Sequence, residues 1–162
     1  MPNISLYINQ IDLDNENYVW ASGQDLRRFN GSDWDYYNSS NSAMPSASPY
    51  YLDTRCLSID PEDKVWVGCA QWPVTGGSEI GVFWLNTNNL SEGRYWNFSD
   101  IATINGYLEI STIYACPFGD DILAFVSPLN GVGGTAGITG YTRLKGATGG
   151  RLFYYLKETD NW

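Results

Sequence analysis

The sequence contains no histidine and only three cysteines, Cys56, Cys69 and Cys116, which show no Cys-x-x-Cys spacing. Without histidine there can be no Ser-His-Asp or Cys-His catalytic arrangement. The lack of histidine and the cysteine spacing together argue against a zinc site. We therefore predict that the cysteines are free thiols that pack as small buried hydrophobic residues.

Positive charge is also scarce. Nine Lys and Arg residues stand against 18 Asp and Glu residues, for a net charge of −9, and the basic residues form no stripe along the sequence. Nucleic acids and anionic membranes are bound through clustered Lys and Arg, so we predict neither as a partner. The chain has no apolar run of about 20 residues, as a membrane-spanning helix needs. Residues 1–17 lack the basic and apolar segments of a secretory signal.

The sequence motifs of common enzymes and cofactor sites are missing as well. There is no Gly-x-Ser-x-Gly elbow and no Walker-type phosphate loop, and the glycine-rich run at 131–137 is not followed by lysine. Residues 12–17, DLDNEN, alternate acids like a calcium loop, but Asn17 and Gly23 stand where an EF-type loop needs Gly and Glu. We predict a protein without catalytic activity, cofactor or metal.

Aromatic residues and glycine are abundant. Aromatics make up 15% of the 162 residues, with 7 Trp and 12 Tyr, and there are 17 glycines. Large rigid side chains separated by small turn-forming residues favour short strands and tight turns. No long apolar segment has helical spacing, so the composition predicts an all-β fold in a single domain covering 1–162.

A repeated unit organises the first hundred residues. The segment LDNENYVWASG (13–23) aligns with IDPEDKVWVGC (59–69), so that Val19 and Trp20 correspond to Val65 and Trp66, 46 residues later. Asp14 falls on Asp60 in the same alignment. We interpret these aspartates as acceptors that cap a strand end, because short acidic side chains bond nearby backbone N–H groups.

Each copy is predicted to form four short antiparallel strands. In the first copy, about 8–46, they are placed near 10–14, 18–23, 25–30 and 34–38, with an Asn-Gly hairpin turn at 30–33. In the second copy, about 54–100, they are placed near 55–60, 64–70, 80–87 and 94–99, with DWDYYN of the first copy matched to RYWNFS. A four-stranded unit of 40 to 50 residues has the size of a β-propeller blade.

A partial third copy is predicted at about 107–162. Its first strand is placed at 110–117, its second at 121–128 and its third at the start of RLFYYLKETDNW (151–162), with a glycine-rich insertion at 129–150 between the last two. A closed propeller needs about 4 to 8 blades. We therefore expect association with other chains, continuation in a longer polypeptide, or a third copy that folds differently and caps the stack.

The repeats resemble the propeller repeats found in the sensor portions of two-component regulators. The likeness rests on an apolar strand ending in Asp, an acidic turn, an aliphatic-Trp-x-Gly strand and a strand like DLRRFN, and it is good over 8–100. The first copy departs from the pattern with Ser22 before Gly23, and the second with Cys69. The Asn/Ser/Tyr-rich sequence also resembles structural proteins of tailed bacteriophages, a likeness of style rather than of motif.

Tryptophan positions separate a predicted core from a predicted contact surface. Trp20 and Trp66 recur at equivalent positions, so we predict that both are buried between adjacent sheets. Trp72 and Pro73 lie in a segment, 71–79, without counterpart in the first copy, and we predict a contact surface there. The insertion at 129–150 is predicted to leave the sheet as a loop or arm.

These observations favour a non-enzymatic structural and protein-interaction module of a bacteriophage virion, in its tail, baseplate or fibres. Its expected partners are other virion proteins or further copies of itself, within a larger assembly. The alternative is a ligand-sensing or glycan-binding bacterial propeller module, which would function outside the cytoplasm.

Overall fold

The computed structural model describes residues 7–23, 25–46, 52–70, 80–97, 108–115, 122–128 and 151–155. These residues form strands and turns without a helix, which confirms the all-β prediction. Accordingly, no helix within these ranges could cross a membrane. The strands are β1 (Ile8–Leu13), β2 (Val19–Gly23), β3 (Leu26–Phe29), β4 (Trp34–Tyr37), β5 (Asp53–Ile59), β6 (Lys64–Ala70), β7 (Ile80–Asn86), β8 (Asn89–Asn97), β9 (Leu108–Ala115), β10 (Ile122–Pro128) and β11 (Arg151–Tyr155).

The strands pair in the order in which they follow along the chain. Strands β1 to β4 form an antiparallel four-stranded sheet, here called the first sheet. Strands β5 to β8 form an antiparallel second sheet in the same way. Strands β9, β10 and β11 form a third antiparallel ladder, which joins the second sheet through the pair Ala70 and Glu109. Two antiparallel four-stranded sheets therefore lie where the repeat predicted them.

The same aspartate–tryptophan contact closes the first hairpin of both sheets. Oδ1 of Asp14 accepts hydrogen bonds from the backbone N–H groups of Glu16 and Tyr18 at 3.0 and 2.9 Å. Oδ2 of Asp14 accepts one from the indole Nε1 of Trp20 at 2.8 Å. The carboxylate thus satisfies the turn and the buried indole together, a role wider than the predicted strand cap.

Asp60 repeats every one of these bonds in the second sheet. Its Oδ1 accepts from the N–H groups of Glu62 and Lys64 at 2.9 Å each, and its Oδ2 accepts from Nε1 of Trp66 at 2.9 Å. Both turns also contain a residue with positive φ, Asn17 at 65° and Asp63 at 59°. The predicted Asn-Gly turn at 30–33 is present too, with Gly31 at a φ of 99°.

Strand register extends the repeat to the third ladder. Asp12 pairs with Trp20, Ser58 with Trp66 and Tyr114 with Leu123, in each case one pair away from the end of the first hairpin. A register shift occurs three residues before each of Asp12, Ser58 and Tyr114, at positions 9, 55 and 111. A β-bulge bends its strand and increases the local twist, so the first strand of every unit is bent at the same place.

Two sequence predictions about the fourth strands need correction, one on where a strand begins and one on the alignment of the two copies. Strand β8 begins at Asn89, not near 94, because Asn86 pairs with Asn89 in a tight hairpin. The fourth strands were also aligned out of register. Tyr37 lies opposite Leu26 as Trp96 lies opposite Val82, so Tyr37 corresponds to Trp96. The start of the fourth strand in the third copy lies outside the described residues.

The main core fills the space between the first and second sheets. Because side chains alternate between the faces of a strand, Trp20, Leu26 and Tyr37 share one face of the first sheet. They form one buried cluster with the face of the second sheet that carries Leu57, Val65, Val67, Phe83 and Leu85. Trp20 is 0% exposed and stacks on Tyr37 with ring centroids 5.3 Å apart, which confirms its predicted burial.

A second aromatic cluster lies between the second sheet and the third ladder. Trp66 is 3% exposed, as predicted. It stacks on Trp96 at 5.7 Å with an interplanar angle of 9°. Tyr155 of β11 contacts both rings, at 5.2 and 5.1 Å. Trp66 therefore packs against the third ladder as Trp20 packs against the second sheet.

Three titratable side chains in or beside these cores have raised pKa values. Burial raises the pKa of Tyr37, with the neighbouring Asp35 adding to the effect and Arg28 opposing it. Burial raises the pKa of Asp53, and Arg55 opposes it. Burial also places the pKa of the Cys69 thiol well above its usual range. Cys56 and Cys69 are both buried thiols that form no disulfide, as predicted, whereas Cys116 lies outside the described residues.

Candidate functional site

Consecutive units contact one another through hydrogen bonds that recur from one junction to the next. Oδ2 of Asp12 in β1 accepts from the backbone N–H of Ile59 in β5 at 2.9 Å. Oγ of Ser58 in β5 accepts from the backbone N–H of Ala115 in β9 at 3.0 Å. Asp12 and Ser58 are register equivalents, and so are Ile59 and Ala115. The third ladder is therefore placed on the second sheet as the second sheet is placed on the first.

This recurrence gives each unit two distinct faces. The face that carries Ile11 in the first sheet, Leu57 in the second sheet and Ile113 in the third ladder is here called the front face. We call the back face the one that carries the equivalent positions Asp12, Ser58 and Tyr114. Trp20 and Trp66 lie on back faces, and each packs against the next unit. At each junction, the back face of one unit therefore covers the front face of the next.

The front face is buried in two units and open in the first. Leu57 is 0% exposed and Ile113 is 2% exposed, whereas the equivalent Ile11 is 60% exposed. Leu13, one pair nearer the turn, is 56% exposed, while its equivalent Ala115 in the third ladder is 4% exposed. Along β1, the front face of the first sheet is thus apolar and without the covering that its counterparts receive within the described residues, whereas Ala21 and Arg27 on the same face are buried.

A buried arginine distinguishes this open face from the others. Arg27 occupies the register position of Phe83, because Arg27 pairs with Ala21 as Phe83 pairs with Val67. It is 3% exposed, contacts Asp25 through Nη2 at 3.0 Å and lies beneath the ring of Tyr36 at 4.7 Å. Its Nη1 is buried and has no hydrogen-bond partner in the part of the chain that the structure describes.

The opposite end of the series carries an open back face. Asp12 and Ser58 each contact the strand of the next unit, and Ser58 is 7% exposed. Their equivalent in the third ladder, Tyr114, is 50% exposed. Ile11 and Leu13 are therefore exposed on the front face at one end and Tyr114 on the back face at the other, and we call these two faces the open front face and the open back face.

The backbone of β1 adapts to its open position. The N–H groups of Ile59 and Ala115 are each bound by a side chain of the preceding unit. The equivalent N–H of Leu13 instead donates to Oδ1 of Asp12, its own neighbour in sequence, at 2.9 Å. One carboxylate thereby satisfies a backbone donor in each of two sheets.

The predicted contact residues Trp72 and Pro73 lie outside the described residues, as does the insertion at 129–150. A repeat predicts the same environment at equivalent positions, so the alignment could not show that Ile11 and Leu13 are exposed where their counterparts are buried. The signal that could have distinguished the first unit is Arg27, a charged residue where the second unit has Phe83.

Across the described ranges, no group of three or more His, Cys, Asp or Glu side chains could hold a metal ion.

Comparison with protein-family models, curated proteins and solved structures finds no match for this chain.

Proposed function

We propose that this chain is a non-enzymatic structural and protein-interaction module whose sheets are propeller-like blades. One observation carries the proposal. Ile11 is 60% exposed where the equivalent Leu57 is 0% exposed, so the chain presents to solvent a surface of the kind that it buries in its own interior. Exposed apolar patches of this kind are typical of protein–protein contact sites.

The blade assignment is supported by the recurrence of unit geometry. The first strands of successive units are joined by equivalent side-chain-to-backbone bonds, through Asp12 at one junction and Ser58 at the next. A constant relation between successive units generates a regular array, and a regular array of four-stranded sheets that closes into a ring is the propeller architecture. The third ladder joins this array with the same bulge and the same packing of its front face.

The setting that we propose is a bacteriophage virion, in the tail, baseplate or fibres. This part of the proposal rests on the Asn/Ser/Tyr-rich character of the sequence, which is similar to that of tailed-phage structural proteins. The acidic balance of −9 fits a protein that holds other proteins and does not contact the genome. In such an assembly the open faces would be covered by neighbouring subunits.

The test is to look for the chain in virions of the phage that encodes it. Gradient-purified particles would be digested and analysed by mass spectrometry, and particles would be labelled with an antibody raised against the purified chain for electron microscopy. We expect its peptides to copurify with the major tail proteins and the label to lie on the tail. Detection in the infected-cell lysate but not in purified particles would refute the virion assignment.

A second candidate function is glycan binding, favoured by tyrosine rings on the surface. Tyr36, Tyr95 and Tyr114 are 37%, 52% and 50% exposed, and exposed aromatic rings offer apolar platforms with a polar hydroxyl. A glycan array probed with the purified chain tests this function. Binding that is lost in Tyr36→Ala or Tyr95→Ala would favour the glycan-binding module over the purely structural one.

A further inference from the structure

We propose that two copies of this chain associate head to tail, with the open front face of the first sheet in one copy covered by the open back face of the third ladder in the other. This inference rests on the proposed interaction function and names its partner, a second copy. The proposal is drawn from the exposure pattern of equivalent residues across the three units.

The first step is that the two open faces are of the two kinds that meet at both junctions inside the chain. Front faces are covered by back faces at both junctions inside the chain, where Leu57 and Ile113 are 0% and 2% exposed. The uncovered front face carries Ile11 at 60% exposed, and the uncovered back face carries Tyr114 at 50% exposed. A second copy therefore presents an uncovered back face, with Tyr114 exposed on it, and back faces are what cover front faces inside the chain.

The second step concerns the residues at the new junction. Tyr114 occupies the position from which Asp12 and Ser58 reach the next unit. At the intermolecular junction its side chain would lie toward β1 of the other copy, where Ile11 and Leu13 are exposed. An aromatic ring in contact with two aliphatic side chains is the type of contact that dominates interface energetics.

The third step is closure. A contact between two different faces is heterologous, and it generates a ring when the rotation closes and a filament when it does not. Two copies would contribute six units, which lies within the range of about 4 to 8 blades that closed propellers use. Three copies would exceed that range. The inference is therefore a closed dimer with two equivalent junctions.

Sedimentation equilibrium of the purified chain across the micromolar range tests the oligomeric state. We expect the wild type to sediment as a dimer. Ile11→Lys places a charge on the open front face, and Tyr114→Lys places one on the open back face, so each variant alone should lose both junctions of the ring. We expect each to dissociate at least about tenfold more readily, which corresponds to about 1.4 kcal/mol.

Mixing the two variants separates this inference from a general loss of folding. Ile11→Lys retains an intact back face and Tyr114→Lys an intact front face, so an equimolar mixture should form a one-to-one dimer through a single junction. The matched control is Tyr95→Lys, a change of an equally exposed tyrosine (52%) in β8, which should dimerise like the wild type. Far-UV circular dichroism of each variant checks that the sheets are retained.

A wild type that remains monomeric throughout the micromolar range would overturn the inference. Dimerisation of Ile11→Lys with the wild-type affinity would also overturn it, and so would a mixture of the two folded variants that associates no better than either variant alone. These results are independent of the virion test. A chain that is found in particles but is monomeric refutes the head-to-tail dimer alone, whereas a dimer that is absent from particles refutes only the virion assignment.

Discussion

Replacement of Asp14 by asparagine tests the contact that defines the repeated unit. In the native chain, Oδ2 of Asp14 accepts the indole N–H of Trp20 at 2.8 Å, and Trp20 is fully buried. Asparagine has nearly the same shape, and its amide oxygen can still accept the turn N–H groups of Glu16 and Tyr18. Its amide nitrogen is a donor, however, and would then face the indole N–H, which is also a donor.

The expected cost follows from what is lost and what is left behind. A hydrogen bond to a charged group contributes about 1.5–3 kcal/mol, and a buried donor left without an acceptor costs about 1–3 kcal/mol. These contributions overlap, so we expect Asp14→Asn to lower the free energy of unfolding by about 2–3 kcal/mol. With a urea dependence of about 2 kcal/mol per molar, the unfolding midpoint should fall by roughly 1 M or slightly more.

A double-mutant cycle assigns this cost to the indole bond. Trp20→Phe removes the N–H donor, so Asp14→Asn should cost less in that background, with a coupling energy of about 1–2 kcal/mol. The corresponding cycle at Asp60 and Trp66 should give a similar coupling, because the bonds are the same in kind and length. The control is Asp33→Asn in an exposed turn, which should change stability by about 0.5 kcal/mol or less.

The assay is urea unfolding followed by both tryptophan fluorescence and far-UV circular dichroism. The reasoning would be refuted if Asp14→Asn unfolded within about 0.5 kcal/mol of the wild type. A coupling energy near zero would refute it as well, since the cost would then arise in the turn and not at the indole.

Three further predictions concern the buried aromatic residues and the buried thiol. Trp20→Ala and Trp66→Ala should each lower the free energy of unfolding by about 3–5 kcal/mol, whereas Trp34→Ala in the half-buried fourth strand should cost clearly less in the same urea titration. Burial raises the pKa of Tyr37, so the folded chain keeps this phenol protonated at a pH where the unfolded chain, with a tyrosine pKa of about 10, releases the proton. The contribution of Tyr37 to the free energy of unfolding is complete below about pH 10 and decreases as the pH rises above that value. Tyr37→Phe should therefore show a smaller loss of stability over this pH range. Equal losses in the two proteins would contradict this assignment. Burial also keeps the Cys69 thiol protonated. After iodoacetamide treatment, mass spectrometry should therefore find Cys69 unmodified in the native chain and modified once urea is added. Rapid labelling of the native chain would show that the site is open.

The units themselves could be predicted from the sequence because their determinants are local. An Asp six residues before a Trp, acidic turn residues that tolerate positive φ, and an Asn-Gly turn all act within one hairpin, so the alignment of Trp20 with Trp66 located both sheets. The fourth strands were misaligned because the correspondence of Tyr37 with Trp96 depends on the length of the hairpin that precedes each of them. Asn86 and Asn89 close the second-sheet hairpin more tightly than composition indicated.

The open faces could not be predicted, because they depend on which sheet lies opposite. Ile11, Leu57 and Ile113 are all aliphatic residues at one register position, and the sequence alone assigns them the same environment. Only the tertiary arrangement, in which Trp20 covers the front of the second sheet and Trp66 that of the third ladder, leaves Ile11 exposed and Leu57 buried. The local pattern determined which face of each strand is apolar, since alternation is a property of the strand itself. The order in which the units stack decided which of these faces meets solvent, since burial is a property of the neighbouring unit.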